Sequence, residues 1–226
     1  MPVRTLAVEV LASPAFTASH IAKGYWVKMV AKNNDLHGNV PDECPAALLI
    51  IDVINDLEFE GGDKLLTPAL SAAEKIADLK RRARQAHIPA IYVNDNFGRW
   101  QSDFRRQVAH CLEDGVRGEP VVRLLVPEEE DYFVLKPKHS GFYSTALDIL
   151  LVHLNARTLI LTGLTADNCI LFTAHDAYLR DFQLFIPSDC VASIDPEENR
   201  QALRQMQRVL NADIRPSVEL NFEALK

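Results

Sequence analysis

The sequence predicts an α/β protein, a three-layer α/β/α sandwich around a mainly parallel sheet of about six strands. Two observations carry this. The runs "AALLIIDV" (46–53) and "RTLILTGL" (157–164) are short and continuously apolar, as strands buried on both faces are. Such runs alternate about six times with segments of helical spacing, which makes the connections crossovers and the strands parallel. A chain of 226 residues, 48% of them hydrophobic, can build one substantial core and a small appendage.

Residues 1–45 read differently from the rest. Their later part, "MVAKNNDLHGNVPDECP", is polar and turn-rich. The expectation is an N-terminal extension, partly docked or disordered, ahead of a single main domain at 46–226. The alternative is a functional chain that begins at Met29, which intact-mass analysis of the native gene's product decides.

After the first strand at 46–53, residues 67–87 are read as a helix. Thr67 is its N-cap, Pro68 its first residue, and Leu70, Ala73, Ile76, Ala77 and Leu79 its buried face. "IPAIYVNDN" (88–96) is the second strand, "SDFRRQVAHCLEDG" (102–115) a helix closed by Gly115, and "DYFVLKPK" (131–138) a strand stopped near Pro137. "STALDILLVHLNA" (144–156) is an amphipathic helix, and 157–164 the most apolar strand. A helix beginning near Cys169 runs to about Asp181. Then come a strand-like stretch at 182–189, a helix at 195–212 and a last short strand at 212–217.

A formal net charge of -7, with no basic face, argues against nucleic-acid binding. The cluster "LKRRAR" (79–84) sits in an amphipathic pattern and reads as a solvated helix face. Cysteines 44, 111, 169 and 190 share no CxxC spacing and suit a reducing compartment. Glu9 interrupts the apolar N-terminal stretch, and no apolar run approaches the ~18 residues of a membrane span. A cytoplasmic location is the expectation.

In open parallel sheets the ligand crevice lies beyond the carboxyl ends of the strands. Asp52 ends the first strand, Lys136 the third, and the turn "GLTADNC" follows the fourth. Alone, Asp52 reads equally as a turn or capping aspartate. Lys138 competes with Lys136 as the partner ammonium but lies past Pro137, outside the strand. Alone, Cys169 reads as a small buried hydrophobe, as do Cys44, Cys111 and Cys190. At a helix start, however, unpaired N–H groups and the dipole lower a thiol's pKa. The stretch "NDNFGRW" (94–100) offers Asn96, Phe97 and Trp100 as substrate-binding residues at a strand end, with a packed turn as the alternative; Phe142 adds a further wall. His139 is read as solvent-facing or helix-capping. His175 faces away from Cys169, so no Cys–His dyad is expected.

The strand-end Asp and Lys, "LKPKHSGFYSTALDILL" and "LTGLTADNCILFTAHDAYLRDFQLFIPSDCVAS" together resemble the isochorismatase-like cysteine hydrolases over roughly 46–215. That family includes nicotinamidases and N-carbamoylsarcosine amidohydrolase, and its fold is Rossmann-like. The resemblance implies a catalytic Asp52, Lys136 and Cys169, a cis peptide between Leu164 and Thr165, and an oxyanion hole from the backbone N–H groups of Thr165 and Cys169. It also implies a small-molecule substrate and a homo-oligomer, a dimer or tetramer. The Asp/His/His metal site of many nicotinamidases would fall at "NDNFGRWQSDF", which has no histidine. The expectation is therefore no metal and no cofactor, and nicotinamide is disfavoured as substrate. Ile54 replaces a frequent family glutamine, and the presence of Cys169 favours C–N hydrolysis over vinyl-ether cleavage. The expected function is a metal-independent cysteine hydrolase of a small amide or carbamoyl compound. The alternative is a non-catalytic binding or scaffolding protein on the same fold.

Overall fold

The computed structural model describes residues 44–97 and 103–225. The extension at 1–45 lies outside these, apart from its last two residues. So do Met29 and Trp100.

The described residues form one six-stranded, all-parallel sheet and six α-helices. The strands are β1 (Ala46–Ile51), β2 (Ala90–Asp95), β3 (Tyr132–Lys136), β4 (Thr158–Leu164), β5 (Gln183–Phe185) and β6 (Val191–Ala192). Their order is β3-β2-β1-β4-β5, with β6 pairing the end of β4. The helices are α1 (Gly62–Gln85), α2 (Phe104–Glu113), α3 (Glu119–Leu124), α4 (Leu147–His153), α5 (Leu171–Tyr178) and α6 (Pro196–Leu210).

Alternation along β1 builds two cores. Ala46, Leu48 and Ile50 pack under α1, α2 and α3, while Ala47, Leu49 and Ile51 pack under α4, α5 and α6. Every residue of β1 and of β4 is buried, which is why both read as continuous apolar runs. The expected three-layer sandwich is what forms.

Several element boundaries differ from expectation. Helix α1 starts at Gly62, not Thr67, so Pro68 lies inside it. The start falls there because Gly61 adopts φ 85°, and a Cβ on Gly62 would meet Leu57 O at 2.0 Å. The Gly–Gly pair was the missed signal. Helix α4 begins only at Leu147, since Ser144 turns through φ 52° and the Thr145 hydroxyl accepts the Leu147 N–H. The short helix α3 was not anticipated.

The sixth strand is Val191–Ala192 rather than 212–217. That last segment makes one parallel bridge, between Phe185 and Asp213. Pro216 limits it to little more. Asp103 and Asp195 cap α2 and α6, accepting the N–H groups of Arg105 and Glu197.

Candidate active site

Parallel register aligns the strand ends. Asp95 at the end of β2 lies opposite Lys136 at the end of β3, and Ile51 in β1 opposite Gly163 in β4. Asp52, the residue after β1, adopts a left-handed φ of 52° that ends the strand. Aspartate tolerates this conformation better than most residues. Gly163 has φ 116°, and a Cβ there would sit 2.0 Å from Ile51 O, so glycine is required where β4 presses on β1.

Beyond Gly163 the Leu164–Thr165 peptide is cis, as the resemblance implied. Cys169 then falls in a π-helical turn, Ala166–Ile170, rather than at the first residue of an α-helix. Ser193, one residue after β6, fixes this turn through its hydroxyl to Asp167 Oδ1 at 2.5 Å. On the other side, the Thr173 hydroxyl donates to Cys169 O at 2.7 Å and accepts the Gly141 N–H at 3.0 Å.

The structure brings Asp52, Lys136 and Cys169 together. Lys136 Nζ is 2.8 Å from Asp52 Oδ2 and 3.5 Å from Cys169 Sγ. Lys136 is fully buried although its alkyl chain leaves an edge strand, and Asp52 is nearly so. Asp52 Oδ1 accepts the Asp95 N–H at 2.7 Å, and Asp95 Oδ2 lies 3.8 Å from Lys136 Nζ.

These contacts set the electrostatics. Burial raises the Asp52 pKa, with Lys136, the neighbouring Cys169 thiol and the hydrogen bond from the Asp95 N–H pulling against it. For Lys136 burial disfavours the charge, but Asp52, Cys169 and Asp95 outweigh it and the pKa rises. The Cys169 thiol is pushed well up, by burial first and then by the Asp52 charge, with Lys136 opposing. The expectation of a helix-start thiol with a lowered pKa is therefore corrected. Burial and the facing carboxylate favour the protonated thiol, so a nucleophilic role for Cys169 would call on a base beside it.

The other proposed residues fall in different places. Asn96 is buried beside the site, with its N–H on Lys136 O at 2.9 Å. Phe97 is 46% exposed, with φ 51°, two residues past Asp95. Phe142 is buried instead, its ring against Phe182 and the Arg180 guanidinium, so in the free protein it is a core ring rather than a pocket wall. His175 bonds Leu171 O one turn back, away from Cys169. Sequence reasoning took Asp95 only as one of the polar groups, with Asn94 and Asn96, at the end of the second strand, and not as a neighbour of Lys136. Its signal was the register of β2 against β3, which no single strand displays.

A metal site of the nicotinamidase type does not fit the described residues after β2. Asp95 Oδ1 is occupied by the Phe97 N–H at 2.5 Å, and no described group of three His, Cys, Asp or Glu side chains is placed to hold an ion. Among the described residues no helix is long and apolar enough to cross a membrane.

Fold and site together define a class: a three-layer α/β enzyme with its reactive groups at the carboxyl ends of a parallel sheet. The isochorismatase domain family model matches residues 46–214, and the chain belongs to the isochorismatase family. Among its relatives is the uncharacterized isochorismatase family protein YaaI of Bacillus subtilis (strain 168). It is 44% identical over 168 residues, covering 74% of this chain and 92% of that protein. Ureidoacrylate amidohydrolase RutB of Methylorubrum extorquens is 33% identical over 195 residues, covering 74% of this chain and 77% of that protein. The crystal structure of N-carbamoylsarcosine amidase from Thermoplasma acidophilum aligns with TM-score 0.56 and 29% identity, over 78% of this chain and 98% of that one.

Proposed function

We propose that this hydrolase cleaves a C–N bond of a small amide or carbamoyl compound, with Cys169 as nucleophile and without a metal. The observation that carries the reading is one ammonium, Lys136 Nζ, set 2.8 Å from a carboxylate and 3.5 Å from a thiol at the strand ends. Two similar proteins, one named ureidoacrylate amidohydrolase and one N-carbamoylsarcosine amidase, support the substrate class.

The chemistry follows from the proton positions. Asp52, made more basic by burial, takes the Cys169 proton as sulfur attacks the carbonyl carbon, and the carbonyl electron pair moves to oxygen. Lys136 stabilises the charge developing on sulfur. The backbone N–H groups of Thr165 and Cys169 receive the oxyanion. When the oxyanion collapses, the C–N bond breaks and the leaving nitrogen takes the proton from Asp52. A water deprotonated by Asp52 then attacks the thioester, and the thiol is reprotonated as the acid leaves. Asn96, Phe97 and Trp100 are assigned to substrate contact.

The test is hydrolysis of a panel of primary amides, ureido acids and N-carbamoyl amino acids, with released ammonia and intact protein mass followed together. A thioester adduct on Cys169 and loss of turnover in Cys169→Ala are expected. Turnover surviving that substitution overturns the mechanism. Turnover abolished by a chelator and restored by a divalent metal overturns metal independence.

The chain is further proposed to self-associate. Ile149 and Val152 on α4, Phe172 on α5 and Leu179 at the C-cap of α5 are exposed, and Arg180, just past α5, pairs with Asp148 of α4. Light scattering on the purified protein tests this, and a monomer at micromolar concentration sinks it.

A further inference from the structure

Asp95 is not one of the three groups of the proposed mechanism, yet its surroundings fix it on every side. Its N–H donates to Asp52 Oδ1 at 2.7 Å, and its carbonyl accepts Gln107 Nε2, from α2, at 2.9 Å. Its Oδ1 accepts the Phe97 N–H at 2.5 Å, which leaves Oδ2 turned toward Lys136 Nζ at 3.8 Å. Among the described residues, three groups that carry or can carry negative charge face that ammonium: Asp52 from the end of β1, Asp95 from β2 and Cys169 from the π-turn.

Proton transfer changes this inventory during the reaction. At rest Asp52 is the anion against Lys136. Once the Cys169 proton has moved to Asp52 and sulfur has bonded to carbon, Asp52 is neutral and sulfur is a neutral substituent. The new negative charge sits on the substrate oxygen, at the backbone N–H groups. A fully buried ammonium without an anion beside it is unfavourable and tends to lose its proton. Asp95 Oδ2 is the described carboxylate that remains.

We infer that Asp95 is a positioning residue: its carboxylate keeps the Lys136 ammonium charged and in place while Asp52 carries the catalytic proton. The inference rests on the proposed mechanism for its timing. The standing of the charge itself can be tested in the resting protein without any substrate.

Asp52→Asn imitates the protonated carboxyl. Protein is made with carbon-13 at the lysine Cε positions, and the Lys136 resonance is assigned by its loss in Lys136→Arg. In Asp52→Asn at pH 7 the resonance is expected at its ammonium position. In Asp52→Asn/Asp95→Asn it is expected to shift to the neutral-amine position at the same pH. A neutral amine in the single variant, or an ammonium in a folded double variant, overturns the inference.

Should the double variant fail to fold, Asp95→Asn alone decides through turnover. The expected result is kcat lowered about tenfold or more with KM little changed, partly restored by Asp95→Glu. An unchanged kcat, or a rise in KM alone, overturns the inference, the latter assigning Asp95 to substrate binding. Loss of the proposed mechanism reads differently, as turnover that survives Cys169→Ala.

Discussion

At the scale of the residue, Asp52, the proposed base, sits under opposed influences. Burial raises its pKa, while the ammonium at 2.8 Å keeps it from rising so far that it holds a proton permanently. In the proposed mechanism the catalytic form is the ionised one, so activity is expected to increase as pH rises through the Asp52 pKa. The acid limb of kcat/KM is expected above the ordinary aspartate range. A limb within that range would count against Asp52 as the base. Asp52→Asn is expected to lower kcat by about 10²–10⁴-fold, which steady-state assays measure directly. A carboxylate after six apolar residues drew attention to this position, but alone it read equally as a turn or capping aspartate; its place beside Lys136 comes from the sheet. The thiol was misread because the helix-start argument weighs dipoles and omits burial. Cys169 is desolvated and faces a carboxylate, and both stabilise S–H over S⁻.

At the scale of the element, the site depends on how β4 closes onto β1. Gly163→Ala puts a methyl group against Ile51 O and forces an alanine into φ 116°. About 3 kcal/mol or more of destabilisation is expected, measured by urea unfolding, together with loss of Cys169 function even in the folded fraction. An alanine variant as stable and active as the parent would show that the strand pair is slack there.

The emphatic elements were legible for a physical reason. β1 and β4 lie at the sheet centre, covered by helices on both faces, and burial on both sides leaves an uninterrupted apolar run. β6 has two residues and no periodicity to display. The π-turn at Ala166–Ile170 leaves no mark in residue type, because it is set by the Ser193 and Thr173 hydroxyls that hold it from outside. The start of α1 was misplaced because Thr67–Pro68 imitates a helix entry that the Gly61–Gly62 turn had already made.

At the scale of the whole molecule, the two cores are finished by different means. The core under α4, α5 and α6 is closed by those helices. The core under α1 is completed by the C-terminal segment, where Leu220 and Phe222 are buried. That segment is held by Arg82, donating to Ser217 O and Leu220 O at 2.9 Å each, and by Asp189, accepting the Ser217 N–H at 2.7 Å and its hydroxyl at 2.8 Å. Removing residues 217–226 takes Leu220 and Phe222 out of that core, a loss of about 1.5–3 kcal/mol for each buried side chain, and exposes the apolar surface they cover. A clear fall in melting temperature is expected, and an unchanged one would show that the segment merely rests on the surface. The reactive centre lies at the opposite edge of the strands from their buried starts, and its groups come from separate strands in one register. Side chains alternate faces at every residue of a strand, so inserting a single residue into β2 or β3 would deliver its terminal charge to the wrong layer. Loops in this fold can lengthen freely, but the strands act as rulers cut to one length, and the chemistry is tied to that measure.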